Sequence, residues 1–251
     1  MTKIKLVIDE KYQDIDGFIE DLPMSFLQSG EVVYSGRNII KTFDVGDFKL
    51  NVKSFKKPLL INQIAYATIR KSKAERSYLY AHMLKEEGFE TPDPVAYVEL
   101  KQYGLLKYSL YISIHGEFDG IMRQLVNGTF DQHKELIRQF AIYTARLHEK
   151  NILHLDYSSG NILYKMKGDE YIFYLVDLNR MKFGKPISLE TACFNFRRLW
   201  GSDEMIAYIV KEYAKARNFN EKACLEKTFE YRKRFWDSFR KQYPGATPYI
   251  G

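Results

Sequence analysis

HLDYSSGNILYKMKGDEYIFYLVDLNR, residues 154–180, decides how this chain is read. It opens on His-x-Asp, carries an Asn five residues after that Asp, and runs through a hydrophobic strand to a second carboxylate, Asp177. Two strand-like pieces, NILYKM (161–166) and YIFYLVDL (171–178), are joined by the turn Lys167-Gly168-Asp169. Asp156 can accept the proton of an attacking hydroxyl, and Asn161 and Asp177 are an amide and a carboxylate suited to holding Mg²⁺ against phosphates. That inventory in that order implies phosphoryl transfer. The bland alternative is a polar helix-to-strand turn closed by Asx hydrogen bonds.

Working outward, residues 131–150 form the strongest helical pattern in the chain. Leu136, Phe140, Tyr143 and Leu147 lie on one stripe, with Asp131 as the expected N-cap. Beyond residue 189 the pattern is helical to about Tyr243, without repeats or low-complexity segments. Between Glu31 and His115 the pattern is that of strands. EVVYS (31–35) and NIIKTF (38–43) flank the turn Gly36-Arg37, and DVGD (44–47) is a second turn. In FKLNVKSF (48–55), Phe48, Leu50 and Val52 alternate with Lys49, Asn51 and Lys53, so Lys53 is expected on the face opposite the apolar set. One helix, Ser72 to Glu87, interrupts the strands. Ala74, Tyr78, Ala81 and Leu84 are its apolar stripe and Gly88 its stop. After the rigid turn TPDP (91–94), VAYVEL (95–100) and LLKYSLYISI (105–114) pair around residues 102–104. Five strands and one helix are expected before residue 115, and a mainly helical part after it.

Composition bounds the rest. At roughly 150 residues per domain, 251 residues make one large or two small units. With 45% apolar residues, 19 Tyr, 17 Phe and 7 Pro, the chain is globular and neither disordered nor fibrous. Cys193 and Cys224 allow at most one bridge and have no metal-ligand spacing, which suits a reducing compartment. No apolar run approaches the roughly 18 residues of a membrane span, and the N-terminal residues are too often charged for a signal peptide, so a cytoplasmic protein is expected. A net charge of +6 and a pI near 9.0 favour anionic partners without naming one. No nucleic-acid-binding motif accompanies the charge, and no nucleic acid is expected as partner.

The His154–Arg180 arrangement is similar to the protein-kinase-like fold. RKSKAERSYLYA (70–81), GFETPDPVAY (88–97), HLDYSSGNILY and VDLNR together resemble the lipopolysaccharide kinase family, the Kdo and heptose kinases, over about residues 31–200. The resemblance implies a two-lobed α+β fold, with a mainly β lobe over residues 1–115 and a mainly α lobe over 116–251. It implies ATP-dependent, Mg²⁺-dependent phosphorylation of a Kdo or heptose hydroxyl in the lipopolysaccharide inner core. Under it Lys53 contacts the nucleotide phosphates and Glu75 pairs with Lys53, Asp156 is the base, and Asn161 and Asp177 hold the metal. His154 braces the catalytic loop, and the Ile112–His115 segment, through Ile112 and Ile114, meets adenine. Glu75 has a rival role, because Ser72-Lys73-Ala74-Glu75 also reads as a capping box.

Departures from that pattern narrow the acceptor. In place of a glycine-rich loop stands YSGRN (34–38), where Gly36 and Arg37 remain as phosphate contacts. Leu155 replaces the arginine that answers a phosphorylated activation loop. Asp-Leu-Asn follows where Asp-Phe-Gly is common, and no Ala-Pro-Glu comes after it. These losses point to a small or lipid-linked acceptor. Arg180, Lys182, Lys185, Arg197 and Arg198 are candidates to meet an acidic sugar, or form a solvated basic loop. Arg232 to Arg234, Arg240 and Lys241, interleaved with Tyr231, Phe235, Trp236 and Phe239, are candidates to touch anionic lipid at the inner face of the inner membrane, or form a solvated basic helix whose aromatics pack on the lobe. A kinase for another small molecule or protein, and a pseudokinase serving as a binding module, remain alternatives.

Overall fold

Period-two alternation and helical stripes are realised in two compact units, residues 1–117 and 118–251. The computed structural model describes residues 2–55, 71–126 and 128–244. Arg70, the first residue of the motif at 70–81, lies outside the described residues.

The first unit holds a six-stranded antiparallel sheet of β1 (Thr2–Ile8), β2 (Glu31–Ser35), β3 (Ile39–Val45), β4 (Phe48–Ser54), β5 (Pro94–Gln102) and β6 (Leu105–Ile114), in the order β1-β5-β6-β4-β3-β2. Helix α1 (Asp16–Ser25) covers one face: Ile19, Leu22 and Phe26 pack with Leu50, Val52, Ala96, Val98, Leu110 and Ile112. The other face carries α2 (Lys73–Glu86), whose Ala74 and Tyr78 meet Phe55 and Tyr97. Adjacent residues of β5, Ala96 and Tyr97, thus serve opposite cores, as the pleat requires. Gly88 ends α2 in a left-handed conformation at φ 80°, with Phe89 N–H donating to Leu84 O at 2.9 Å.

β1 and α1 are additions to the five strands and one helix expected. β1 pairs with β5 from Thr2↔Gln102 to Ile8↔Ala96. Lys41, in the middle of β3 and almost fully buried, holds the end of α1. Its ammonium donates to Phe26 O at 2.7 Å and Ser29 O at 2.8 Å, satisfying carbonyls the helix leaves open.

The second unit is built on α3 (Phe130–Glu149), α4 (Leu189–Phe196), α5 (Asp203–Ala216) and α6 (Glu221–Gln242). α3 starts at Thr129, not at Asp131. Thr129 Oγ1 accepts from Gln132 N–H and Gln132 Oε1 from Thr129 N–H, a reciprocal box that takes two otherwise open donors. Short strands lie beside the helices: β7 (Gly120–Ile121), β9 (Ile162–Lys167) and β10 (Glu170–Leu175) in one sheet, β8 (Leu153–His154) and β11 (Met181–Lys182) in another. The stripe Leu136, Phe140, Leu147 is buried as expected. Arg232 corrects the reading of α6 as a solvated basic face. It is buried with Thr228 and Trp236 on the same face, and its guanidinium donates to Leu199 O at 2.5 Å.

Candidate active site

The loop from His154 to Asn161 is shaped by backbone groups bonding to its own side chains. β8 pairs with β11, and Leu155 N–H donates to Arg180 O at 2.8 Å, which ties the loop's start to the segment after Asp177. His154 is fully buried. Asp156 N–H donates to its Nδ1 at 3.1 Å, so Nδ1 carries no proton. Nε2 does, and donates to Val176 O at 3.0 Å. Burial lowers the His154 pKa, which keeps this neutral tautomer in place. His154 therefore spans both halves of the motif. Asn195 of α4 donates to His154 O at 3.0 Å.

Tyr157 anchors the loop to α3. Its hydroxyl bonds Thr144 Oγ1 at 2.8 Å, its ring stacks on Phe140, and burial raises its pKa. Asn161 donates through Nδ2 to Asp156 O at 2.9 Å, which fixes the amide and leaves Oδ1 as the ligand atom. Val176 N–H donates to Asn161 O at 3.0 Å, bringing Asn161 next to the residue that precedes Asp177. Asp177 follows β10 by two residues in a left-handed conformation (φ 59°, ψ 47°), which short polar side chains tolerate. Asn179 Nδ2 donates to its Oδ1 at 2.5 Å. An amide oxygen beside a carboxylate fits a hard cation that keeps waters and phosphate oxygens as its other ligands. Among the described residues no three His, Cys, Asp or Glu side chains gather as a metal cage, and such a cation needs none.

Asp156 itself is partly exposed. Arg198 Nη1 donates to its Oδ1, and Arg180 Nη1 stands 4.0 Å from Oδ2. The sequence singled out both arginines, but not that they converge on this carboxylate.

In the first unit Lys53 sits on β4 opposite Ile40 on one side and Tyr111 on the other, on the α2 face as alternation required. Its ammonium lies 5.4 Å from the Phe55 ring centroid. Glu75 is in the first turn of α2. Its N–H donates to Ser72 Oγ at 3.0 Å, the N-cap half of the capping box, while its carboxylate pairs with Lys5 of β1 at 3.1 Å. The partial burial of Lys5 opposes its charge, but hydrogen bonding to Tyr97 and Glu75 outweighs this and raises its pKa. Lys5 had no place in the sequence reading, although the alternation in TKIKLVI was there to find it. Gly36 lies in the β2–β3 turn under Tyr34, where an added Cβ would meet the Tyr34 hydroxyl at 2.5 Å, and Arg37 beside it is exposed. Ile112 is a core residue of β6. Ile114 N–H is committed to Asp93 O at 2.9 Å and His115 N–H to Lys49 O at 2.7 Å.

A family model described as the lipopolysaccharide kinase (Kdo/WaaP) family matches residues 34–186. The solved structure titled "WaaP in complex with acyl carrier protein" superposes with a TM-score of 0.60 at 13% identity, covering 95% of this chain and 99% of that one. At that identity the likeness carries the fold, which is protein-kinase-like. No curated protein matches the chain.

Proposed function

Because the chain belongs to the lipopolysaccharide kinase (Kdo/WaaP) family, we propose that it transfers the γ-phosphoryl group of ATP to a hydroxyl of Kdo or heptose in the lipopolysaccharide inner core. The observation that carries the reading is the braced loop: Asn161 donates to the Asp156 carbonyl, neutral His154 accepts from the Asp156 amide, and Asp177 follows Val176, whose carbonyl accepts from His154. Asp156 accepts the proton of the attacking hydroxyl. Asn161 and Asp177 hold Mg²⁺, which supplies positive charge to the phosphate oxygens when bound. Lys53 meets the nucleotide phosphates, with Glu75 orienting it, and Gly36 and Arg37 add backbone and side-chain contacts. The Ile114 and His115 amides are committed to the sheet, so adenine contact by the Ile112–His115 segment falls to its other backbone groups. Positioning and charge neutralisation do most of the work, since phosphoryl transfer needs little covalent help from protein.

The same reading places the enzyme in the cytoplasm, facing a lipid-linked acceptor at the inner membrane. No helix among the described residues is long and apolar enough to cross a membrane. α6 lends little to lipid contact: Lys233 and Arg240 pair with Asp237, and Arg234 with Glu230, all within the helix. The test is transfer from labelled ATP, with Mg²⁺, to extracted lipid A bearing core sugars. Wild type should label the acceptor, and Asp156→Asn should turn over roughly 10²- to 10⁴-fold more slowly with ATP affinity nearly intact. Absence of transfer by wild type, or undiminished transfer by the variant, would end this reading.

A further inference from the structure

Two arginines approach the Asp156 carboxylate and a third lies near one of them. Arg198 and Arg180 approach its two oxygens, and Arg197 shares the Phe235 ring with Arg198, its guanidinium 3.6 Å from the Phe194 ring centroid and donating to Phe194 O at 2.6 Å. Burial lowers the Arg197 pKa, and the charges of Arg198 and Arg180 lower it further, with Asp156 the anion that opposes them. Two cations thus approach one carboxylate with a third, Arg197, close by at the Phe235 ring, a surplus that invites an anion. The backbone beneath them is fixed. Trp200 N–H donates to Ser159 Oγ at 2.8 Å, which fastens the segment to the catalytic loop, and buried Arg232 grips Leu199 O from α6. Arg198 is therefore set against the base by a rigid strap, and its side chain alone needs to turn to leave it.

We propose that Arg180, Arg197 and Arg198 form a subsite for an anionic group carried by the acceptor, and that Asp156 occupies this subsite when no acceptor is bound, so that the base is latched until an anionic acceptor arrives. The proposal rests on the kinase reading in taking Asp156 as the base. A carboxylate or phosphomonoester matches the guanidinium fork better than a single carboxylate oxygen does. Once it draws Arg198 away, Oδ1 is open to the acceptor hydroxyl. The hydroxyl oxygen forms its bond to the γ-phosphorus, the bond from that phosphorus to the ADP oxygen breaks, and the proton passes to Asp156. Water and neutral sugars carry no group that releases the latch, so ATP is spared when the acceptor is absent.

Two measurements on the full chain test this. In the first, inorganic phosphate or formate is titrated by calorimetry into wild type, Arg198→Gln and Arg180→Gln. Each variant should bind the anion about 10- to 100-fold more weakly, the range for losing one charge-assisted hydrogen bond. Unchanged affinity in both variants would overturn the subsite, whatever the catalytic outcome, and a response to only one of the two anions tells which acceptor group it fits. The second follows ADP release with Mg²⁺-ATP and water as acceptor. Wild type should be slow and accelerated by the added anion, whereas Arg198→Gln should be fast without it and indifferent to it. If Asp156→Asn abolishes this hydrolysis while Arg198→Gln leaves it at the wild-type rate, the latch is wrong and the kinase reading stands. If, with the anion added, Asp156→Asn hydrolyses as fast as wild type, the base assignment falls and takes the latch with it.

Discussion

Acidification should weaken the second unit well before its carboxylates titrate, because of His148. This residue of α3 is fully buried. Its Nδ1 bonds the Tyr213 hydroxyl at 2.8 Å, and that hydroxyl accepts from Arg217 Nη1 at 2.8 Å. The Tyr213 hydroxyl can donate its proton to Nδ1, an arrangement that suits a neutral His148. Burial, and after it the Arg217 charge, lower its pKa to about 3. Above about pH 6.5 the imidazole is neutral both folded and unfolded, and pH has no leverage through it. Below that the unfolded chain takes up a proton that the folded one refuses, so stability falls at about 1.4 kcal/mol per pH unit until about pH 3. From pH 7 to pH 5 the loss through His148 is about 2 kcal/mol. His154, also lowered by burial, adds in the same direction. Urea unfolding followed by Trp fluorescence is the assay, because both tryptophans, Trp200 and Trp236, belong to this unit. His148→Gln should lose about 2 kcal/mol less than wild type over that span. Parallel losses in the two proteins, or native-state NMR signals of His148 titrating near pH 6.5, would refute the argument.

Two further outcomes follow from named contacts. Lys41→Met removes the donor that closes α1 and leaves the Phe26 and Ser29 carbonyls without it, so the first unit should lose about 2–4 kcal/mol in urea unfolding; a loss under about 1 kcal/mol would mean that the carbonyls find other partners. Asp177→Ala should abolish the Mg²⁺-dependent part of the thermal shift given by ATP, since binding to the folded state stabilises as RT ln(1 + [L]/Kd), and a full shift in the variant would remove Asp177 from the metal site.

What the sequence disclosed follows from how far apart the interacting residues lie. The catalytic stretch was legible because His154, Asp156, Asn161 and Asp177 fall within 24 consecutive residues, and their mutual bonds are made inside that stretch. Arg198 bonds Asp156 across 42 residues, Asn195 bonds the His154 carbonyl across 41, and Lys5 reaches Glu75 across 70. No local pattern encodes such pairings, because they depend on which helix packs against which. Other omissions had a signal in plain view. The TKIKLVI alternation marks β1, and Thr129-x-x-Gln132 is a capping box two residues before the aspartate preferred as cap. Thr228, Arg232 and Trp236 recur at intervals of four, the spacing of a buried stripe. Charge at Arg232 argued for solvent, and the helix instead spends that charge on the Leu199 carbonyl.

The site separates two tasks between two kinds of group. Loop geometry is set by neutral, buried donors and acceptors: His154 to Val176 and Asp156, Asn195 to His154, Tyr157 to Thr144. None of these bonds depends on salt or on a bound ligand, and each is lost only if a buried group is charged or left unpaired, which costs far more than an exposed contact. The electrostatic environment of the base, by contrast, is set by arginines with partly exposed side chains, whose attraction to Asp156 competes with water and with any other anion. A change at Arg198 therefore alters what Asp156 meets while the loop that carries it keeps its shape. A change at His154 or Asn195 alters where Asp156 stands. The two classes of variant differ in kind: the first shifts anion dependence at constant stability, and the second lowers stability and turnover together.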